Sequence, residues 1–317
     1  MLGRLMNDVV RSLGPLYPWG DTLTLLKSSD LTLINLECVI ATDGKPWTRT
    51  PKVFFFRADP QVVEVLKVAG VDYVSLANNH SMDFQEDAML EMIQILDNNV
   101  IAHSGAGRNI DDAMRPAFLE AKRIKIGVVS FTDNEPAWEA TLVTPGVNYI
   151  DITTKGEYFE RVERSIGLAR ESGADLVIFS NHWGPNMRLR PSKRFKEFAH
   201  AVMDAGADVY YGHSSHLFQG IEIYKGKPIL YDTGDFVDDY AVDDVLRNDW
   251  SFLYKLVIST RGVQRIELLP VLISNFQVNL AKGDDFEGIA QRIQDLCAEM
   301  GTDVARVKDR LEVIIPH

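Results

Sequence analysis

The stretch Val71-Asp-Tyr-Val-Ser-Leu-Ala-Asn-Asn-His80 decides the fold. It predicts a short apolar strand that delivers Asn78, Asn79 and His80 at its carboxyl end. The same arrangement recurs outward along the chain. Leu31-Thr-Leu-Ile-Asn-Leu36 reads as a strand carrying Asn35 and leading to Glu37. Residues 176–179 form a strand pattern that runs into Asn181-His182-Trp-Gly184, and residues 209–211 run into Gly212-His213 and His216. Residues 124–130 lead in the same way to Asp133. Helical periodicity fills the intervals at 60–69, 86–97, 157–172 and 195–205, with Gly70 and Gly173 as stops. Strand and helix in alternation predict an α/β fold.

Beyond Gly220 the pattern turns β-rich, with strands expected at 220–224, 228–231, 252–259 and 264–270 and turns at Gly226 and Gly262. Residues 286–300 predict an amphipathic helix, followed by a short segment to His317. No repeat, low-complexity tract or Pro/Gly-rich linker interrupts the chain. One domain over residues 1–280 with a C-terminal helical extension over 281–317 is the expected organisation.

Composition narrows the function. The 317 residues are 46% hydrophobic, enough for a sizeable core. A formal net charge of −12 argues against sequence-independent nucleic-acid binding, which needs Lys and Arg to neutralise phosphates. No apolar run approaches the roughly 20 residues of a membrane-spanning helix. No signal peptide is visible after Met1-Leu-Gly-Arg4, so a cytoplasmic location is expected. Cys38 and Cys297 make no disulfide framework and read as small core residues.

In open α/β sheets, ligands sit outside the carboxyl ends of the strands. Glu37, Asn79, His80, His182, His213 and His216 all fall there. Imidazole and carboxylate donors together suit a divalent transition metal such as Mn, Fe, Co or Zn, as one or two ions. The absence of Cys from the set argues against a thiolate-type structural zinc site. Each residue also has a plain structural role open to it: His80 as a cap, His182 as a buried hydrogen-bonded ring. His103, His200 and His317 lack the strand-end context. Arg4, Arg188 and Arg190 are candidates for gripping an anionic substrate, and Trp183 for walling the site. The acidic run Asp232, Asp235, Asp238 and Asp239 is a solvated loop or a cation-binding one.

These residues resemble the capsule-synthesis protein CapA family (poly-γ-glutamate capsule biosynthesis), a branch of the calcineurin-like metallophosphatase superfamily. The resemblance rests on Asn35-Leu-Glu37, Ser75-Leu-Ala-Asn-Asn-His80 with Asp83, and His182-Trp-Gly184. It continues through Ala205-Gly-Ala-Asp208, Gly212-His213-Ser-Ser-His216 with Gln219-Gly220, and Pro228-Ile-Leu-Tyr-Asp-Thr-Gly-Asp-Phe236, in the family order. It implies a four-layer sandwich, helices outside and two β-sheets inside, with a two-metal rim. Glu37 then matches an acidic metal ligand and Asn79 the metal-binding Asn. His182, His213 and His216 match later ligands, and His80 the His that contacts a phosphoryl oxygen and protonates a leaving group.

The chain departs from that pattern in three places. The family's first motif, a strand ending in Gly-Asp, has no counterpart here. Gly20-Asp21 is no substitute, since it precedes a helix-like stretch, and Asp8 or Asp235 would be the replacements to test. His213 and His216 are two residues apart, unlike the superfamily's usual His-x-His. Asp232-Thr-Gly-Asp235-Phe236 stands where the family commonly has Ser-Leu-Gly-Asn-Phe. The resemblance implies a metal-dependent phosphoesterase-like hydrolase acting on a small anionic substrate or on poly-γ-glutamate. The alternative is a capsule-synthesis protein that binds the polymer or a partner without turnover, or that is directed at γ-glutamyl amides.

Overall fold

In the computed structural model, which describes residues 1–316, the strands expected before polar residues form parallel ladders. Leu33–Asn35, Tyr73–Ser75 and Ala102–Ser104 make a three-stranded sheet. A six-stranded sheet runs in the order Ile221–Tyr224, Lys227–Leu230, Val209–His213, Leu176–His182, Ile124–Thr132, Ala117–Ala121. Trp250–Ser259, Gly262–Ser274, Arg310–Ile314 and Ala305–Val307, with Gln277–Leu280 beside the second, make an antiparallel five-stranded sheet. Two short pairs complete the set: Val39–Ile40 with Arg57–Ala58, and Ala106–Gly107 with Gly146–Val147.

The central strand Leu176–His182 is buried along its whole length. Such a strand must be apolar on both faces, because side chains alternate. Val177 and Phe179 pack against the helices Glu157–Glu171 and Lys193–Asp204 through Val162, Ile166, Phe198 and Val202. Leu176 and Ile178 face the other way, towards Phe252, Ile266, Leu268 and the helix Gly283–Ala298. The helices form where apolar residues recur every three or four positions, as at Phe159, Val162, Ile166 and Ala169. Gly70 ends the Val63–Ala69 helix in a left-handed conformation, as its position predicts. A third core lies under Val39 and Ile40, filled by Met89, Met92 and Leu96 of the helix Gln85–Asn98. Cys38 and Cys297 are buried free thiols.

Two features go beyond the expected pattern. The C-terminal extension is not purely helical: after Gly283–Ala298, the hairpin Ala305–Val307/Arg310–Ile314 pairs with Gly262–Ser274. Arg310-Leu-Glu-Val-Ile314 has the alternation of a strand, and it sends Leu311 and Val313 fully into the core. Second, the ladders form three principal sheets where two were implied. Leu33–Asn35 and Trp250–Ser259 are edge strands of separate sheets. Both line a cavity of about 690 Å³, together with Leu26, Ile126, Val209 and Leu230, and no ladder bridges them.

The cavity makes opposite predictions for two valines. Val209 lines it, whereas Val177 is fully buried against the helices. Val209→Leu should stabilise the fold by about 0.5–2 kcal/mol as a cavity-filling change. Val177→Leu should destabilise it by about 1–3 kcal/mol through overpacking. Urea unfolding at unchanged m-value checks both, and equal losses in the two variants would mean that the space beside Val209 is closed in solution.

Candidate functional site

Strand register assembles the site. In the six-stranded sheet His182 lies directly beside His213 on one side and Thr132 on the other. In the three-stranded sheet Asn35 lies beside Ser75, so Glu37 and the segment 78–80 leave adjacent strands together. Asn78, fully buried, staples them. Its Nδ2 donates to Asn35 Oδ1 (3.0 Å) and the Leu36 carbonyl (2.9 Å), and its Oδ1 accepts from the His80 backbone N–H (3.0 Å). Gly212 is required before His213, since a Cβ there would lie 2.0 Å from the Tyr231 carbonyl oxygen. Ser214 and His216 adopt positive φ angles (125° and 61°), the local strain that functional loops hold when their surroundings over-determine them.

The side chains meet around Glu37. His80 Nε2 and His182 Nε2 each lie 3.9 Å from Glu37 Oε1. His80 Nδ1 lies 2.7 Å from Asp83 Oδ2, and its ring packs on Phe56 with centroids 4.0 Å apart. His182 and His213 share a hydrogen bond between their Nδ1 atoms (2.9 Å), and His213 Nε2 lies 3.0 Å from Ser180 Oγ. Both nitrogens of His213 are thus engaged. His216 Nδ1 donates to Asp235 Oδ1 (2.9 Å).

Burial sets the protonation of these groups. It holds His80 and His213 down to about 3 and His182 well below its ordinary value. For His216 burial works against the charged form, but the Asp235 carboxylate outweighs it and raises the ring to about 10. Burial pushes Asp83 and Asp232 up to about 7.

Among the described residues, buried atoms of this region without a hydrogen-bond partner include Glu37 Oε1, Asn79 Oδ1 and His182 Nε2, with Asp83 Oδ1 and Asp235 Oδ2 behind them. A carboxylate oxygen, an amide oxygen and an imidazole nitrogen left bare in a protein interior need an explanation, and a cation supplies one. Their donor chemistry fits one divalent ion. Both nitrogens of His213 are engaged in hydrogen bonds, whereas His216 meets Asp235 through Nδ1 alone and keeps Nε2 free. Among the described residues, no group of three or more His, Cys, Asp or Glu side chains closes into a metal cage as it stands.

The remaining candidates divide. Arg4 pairs with Asp239, and Arg190 with Glu299 through two bonds of 2.6 and 2.7 Å. Arg188 lines a cleft of about 320 Å³ with Arg190, Arg194, Gly184, Phe195 and Ser215, and has no carboxylate partner among the described residues. Trp183 is packed against Phe195 and Tyr210, with Nε1 donating to the Tyr231 carbonyl, and it also lines this cleft. Asp8 is exposed beside Arg11, and Asp21 accepts the Leu280 N–H, so neither joins the cluster, whereas Asp235 does. His103 bonds Asp97 and His200 bonds Glu222, and His317 lies outside the described residues. Lys52 and Glu135 were not expected here. They sit in irregular loops with no periodicity to flag them, yet Lys52 Nζ bonds the Asn79 carbonyl (2.6 Å) and lies 3.2 Å from Glu135.

The buried neutral histidines predict acid sensitivity. His80, His182 and His213 bind no proton in the folded protein until far below the ordinary 6.5, whereas the unfolded chain binds them near 6.5. Unfolding therefore takes up protons, and stability falls as pH drops from about 6.5 towards 3, by up to about 1.4 kcal/mol per pH unit for each ring. His216 acts in the opposite sense: its contribution is complete below about 6.5 and is lost as pH rises towards about 10. Denaturant unfolding of wild type and His213→Gln across pH 7 to 4 checks this. The two stability curves should converge on acidification, and parallel curves would show that His213 is not a buried neutral ring.

Known proteins match the chain over the stretch that contains these residues. The family model described as bacterial capsule synthesis protein PGA_cap matches residues 1–240. The "Probable polyglutamine synthesis accessory protein" of Mycobacterium tuberculosis is 31% identical over 312 residues, covering 95% of this chain and 81% of its own. The capsule biosynthesis protein CapA of Bacillus anthracis is 29% identical, covering 86% of this chain and 65% of its own. The PGA biosynthesis protein CapA of Bacillus subtilis is 28% identical over 86% and 69% respectively. No helix among the described residues is long and apolar enough to cross a membrane. With its matched segment spanning every strand end of the site, the chain belongs to the bacterial capsule synthesis protein PGA_cap family.

Proposed function

We propose that this chain serves capsule synthesis by binding an anionic glutamyl polymer, or its precursor, at the rim formed by the strand ends. One observation carries this: an arginine-lined cleft, with Arg188 free of carboxylates, on the loop that leaves His182. Asp232 also lines the cleft and Arg190 is held by Glu299, so Arg188 and Arg194 are the lining arginines without a carboxylate partner among the described residues, and guanidinium forks suit carboxylates. The printed names of the relatives, which speak of polyglutamine, PGA and capsule synthesis, point to the same class of ligand.

Metal-dependent hydrolysis is the second possibility, and the bare donor atoms favour it. Glu37, Asn79 and His182 would hold one ion of the Mn, Fe, Co or Zn type, whose chemistry when bound is to polarise a phosphoryl or carbonyl oxygen and acidify a water. His80, neutral, keeps one proton at Nδ1 for Asp83 and turns Nε2 towards Glu37. The family resemblance to calcineurin-like metallophosphatases and their four-layer sandwich supports this role, on phosphate esters or on γ-glutamyl amides alike.

Calorimetric titration with poly-γ-glutamate tests the first role. Arg188→Ala should weaken binding by roughly tenfold, the worth of about one charge-assisted contact. Arg11→Ala, on the exposed N-terminal helix, should leave it unchanged. Equal weakening in both would reduce the cleft to general surface charge. Elemental analysis after reconstitution tests the second. One equivalent of metal, lost in Glu37→Gln, is expected, and less than a tenth of an equivalent of every such metal would exclude the hydrolase.

A further inference from the structure

Lys52 lies in the loop between the short strands Val39–Ile40 and Arg57–Ala58, yet its side chain is only 5% exposed. Its ammonium group turns inward and meets four groups from two segments. It donates to the Asn79 carbonyl (2.6 Å), lies 3.2 Å from Asp83 Oδ1, lies 3.2 Å from Glu135 Oε1, and stands 4.7 Å from the centre of the Trp138 ring. A buried ammonium is costly unless paired and hydrogen-bonded, and here every direction is supplied. Glu135 reaches it from a left-handed backbone position (φ 55°). Trp138 in turn packs edge-on to Trp47 of the Lys52 loop, with centroids 5.5 Å apart.

The consequence falls on His80. Asp83, fully buried, accepts the Phe56 N–H at Oδ2 (2.6 Å), and the same oxygen lies 2.7 Å from His80 Nδ1. Its Oδ1 has no hydrogen-bond donor and faces the Lys52 ammonium alone. The Lys52 ammonium at Oδ1 and the Phe56 N–H at Oδ2 favour the ionised carboxylate against its burial; so held, the group can only accept, which places the proton of the neutral ring on Nδ1 and leaves the Nε2 lone pair facing Glu37. Such a partner behind a site histidine is what fixes its tautomer and direction. Without the ammonium, the carboxylate would have one oxygen buried and bare, a state relieved by turning away or by taking a proton. Either response weakens the hold on Nδ1, since a turned or neutral carboxyl group is a poorer acceptor than a carboxylate.

We propose that Lys52 is the positioning residue of this site: by clamping the Asn79 carbonyl and the Asp83 carboxylate, it sets the direction and the Nδ1–H tautomer of His80. The clamp is independent of what the site binds, so it stands or falls apart from the polymer and metal roles. The same contacts tie the Lys52 loop to the 79–83 segment and to the turn around Glu135.

Nitrogen-15 NMR of histidine-labelled full-length protein tests this, with the His80 signals assigned by their loss in His80→Asn. Wild type should show a protonated Nδ1 and an unprotonated Nε2. The opposite tautomer in wild type overturns the proposal without any Lys52 variant. In Lys52→Met the Nδ1–H to Nε2–H ratio should fall by roughly tenfold, the factor of one hydrogen bond to a charged group. Lys52→Arg should restore most of it, and Lys67→Met, at an exposed helix position paired with Glu64, should not move it. An unchanged ratio in folded Lys52→Met overturns the proposal. If that variant does not fold, the wild-type tautomer and the Lys52→Arg spectrum decide, since a wild-type Nε2–H ring or an Arg variant with a released tautomer is incompatible with the clamp.

Discussion

Everything at the site depends on parallel register. His182 sits level with His213 because Ile178 pairs with Val209 and each later residue follows in step. Asn35 is level with Ser75 for the same reason in the neighbouring sheet. A slip of one residue in either ladder would turn every side chain to the opposite face and break the rim apart. Burial on both faces prevents that slip: Val177 and Phe179 are committed to the helices, Ile178 to the opposite core. The chemistry at the strand ends therefore rests on apolar packing several residues away.

Beyond the strand ends, hydrogen bonds take over from packing. Asn78 spans the two parallel strands of the smaller sheet, and Asp83 gathers His80, Phe56 and Lys52. Most of the site is buried, so each polar atom must be satisfied or costs free energy. The satisfied ones, such as both nitrogens of His213, act as scaffold. Unsatisfied ones such as Glu37 Oε1, Asn79 Oδ1 and His182 Nε2 are where the chain has affinity to spare. Sorting the polar atoms in this way separates residues of the same type that the motif treats alike.

The cavity between the edge strands Leu33–Asn35 and Trp250–Ser259 gives the molecule a less uniform interior. It reaches Glu37 and His213 at one end, and Tyr254, whose hydroxyl is buried without a partner, lies in its wall. Close packing is what transmits positional precision through a protein, so the wall of the site on this side is less constrained than the side backed by Trp183, Tyr210 and Phe198.

Much was legible before any coordinates. Short-range periodicity located the strands, the helices and their glycine stops, because alternation and the 3.6-residue repeat are properties of local backbone geometry. The placement of Glu37, Asn79, His80, His182, His213 and His216 at strand ends followed from the same local signal. Tertiary structure alone decided which of these keep a free atom, because that depends on neighbours distant in the chain: Ser180 and His182 engage both nitrogens of His213, whereas Asp235 engages only Nδ1 of His216. It also decided that Lys52 and Glu135 belong to the site while Asp8 does not, and that Arg190 at the cleft is held by Glu299. A loop lysine and a surface arginine look the same in a sequence, and only the path of the fold buries one and leaves the other in solvent.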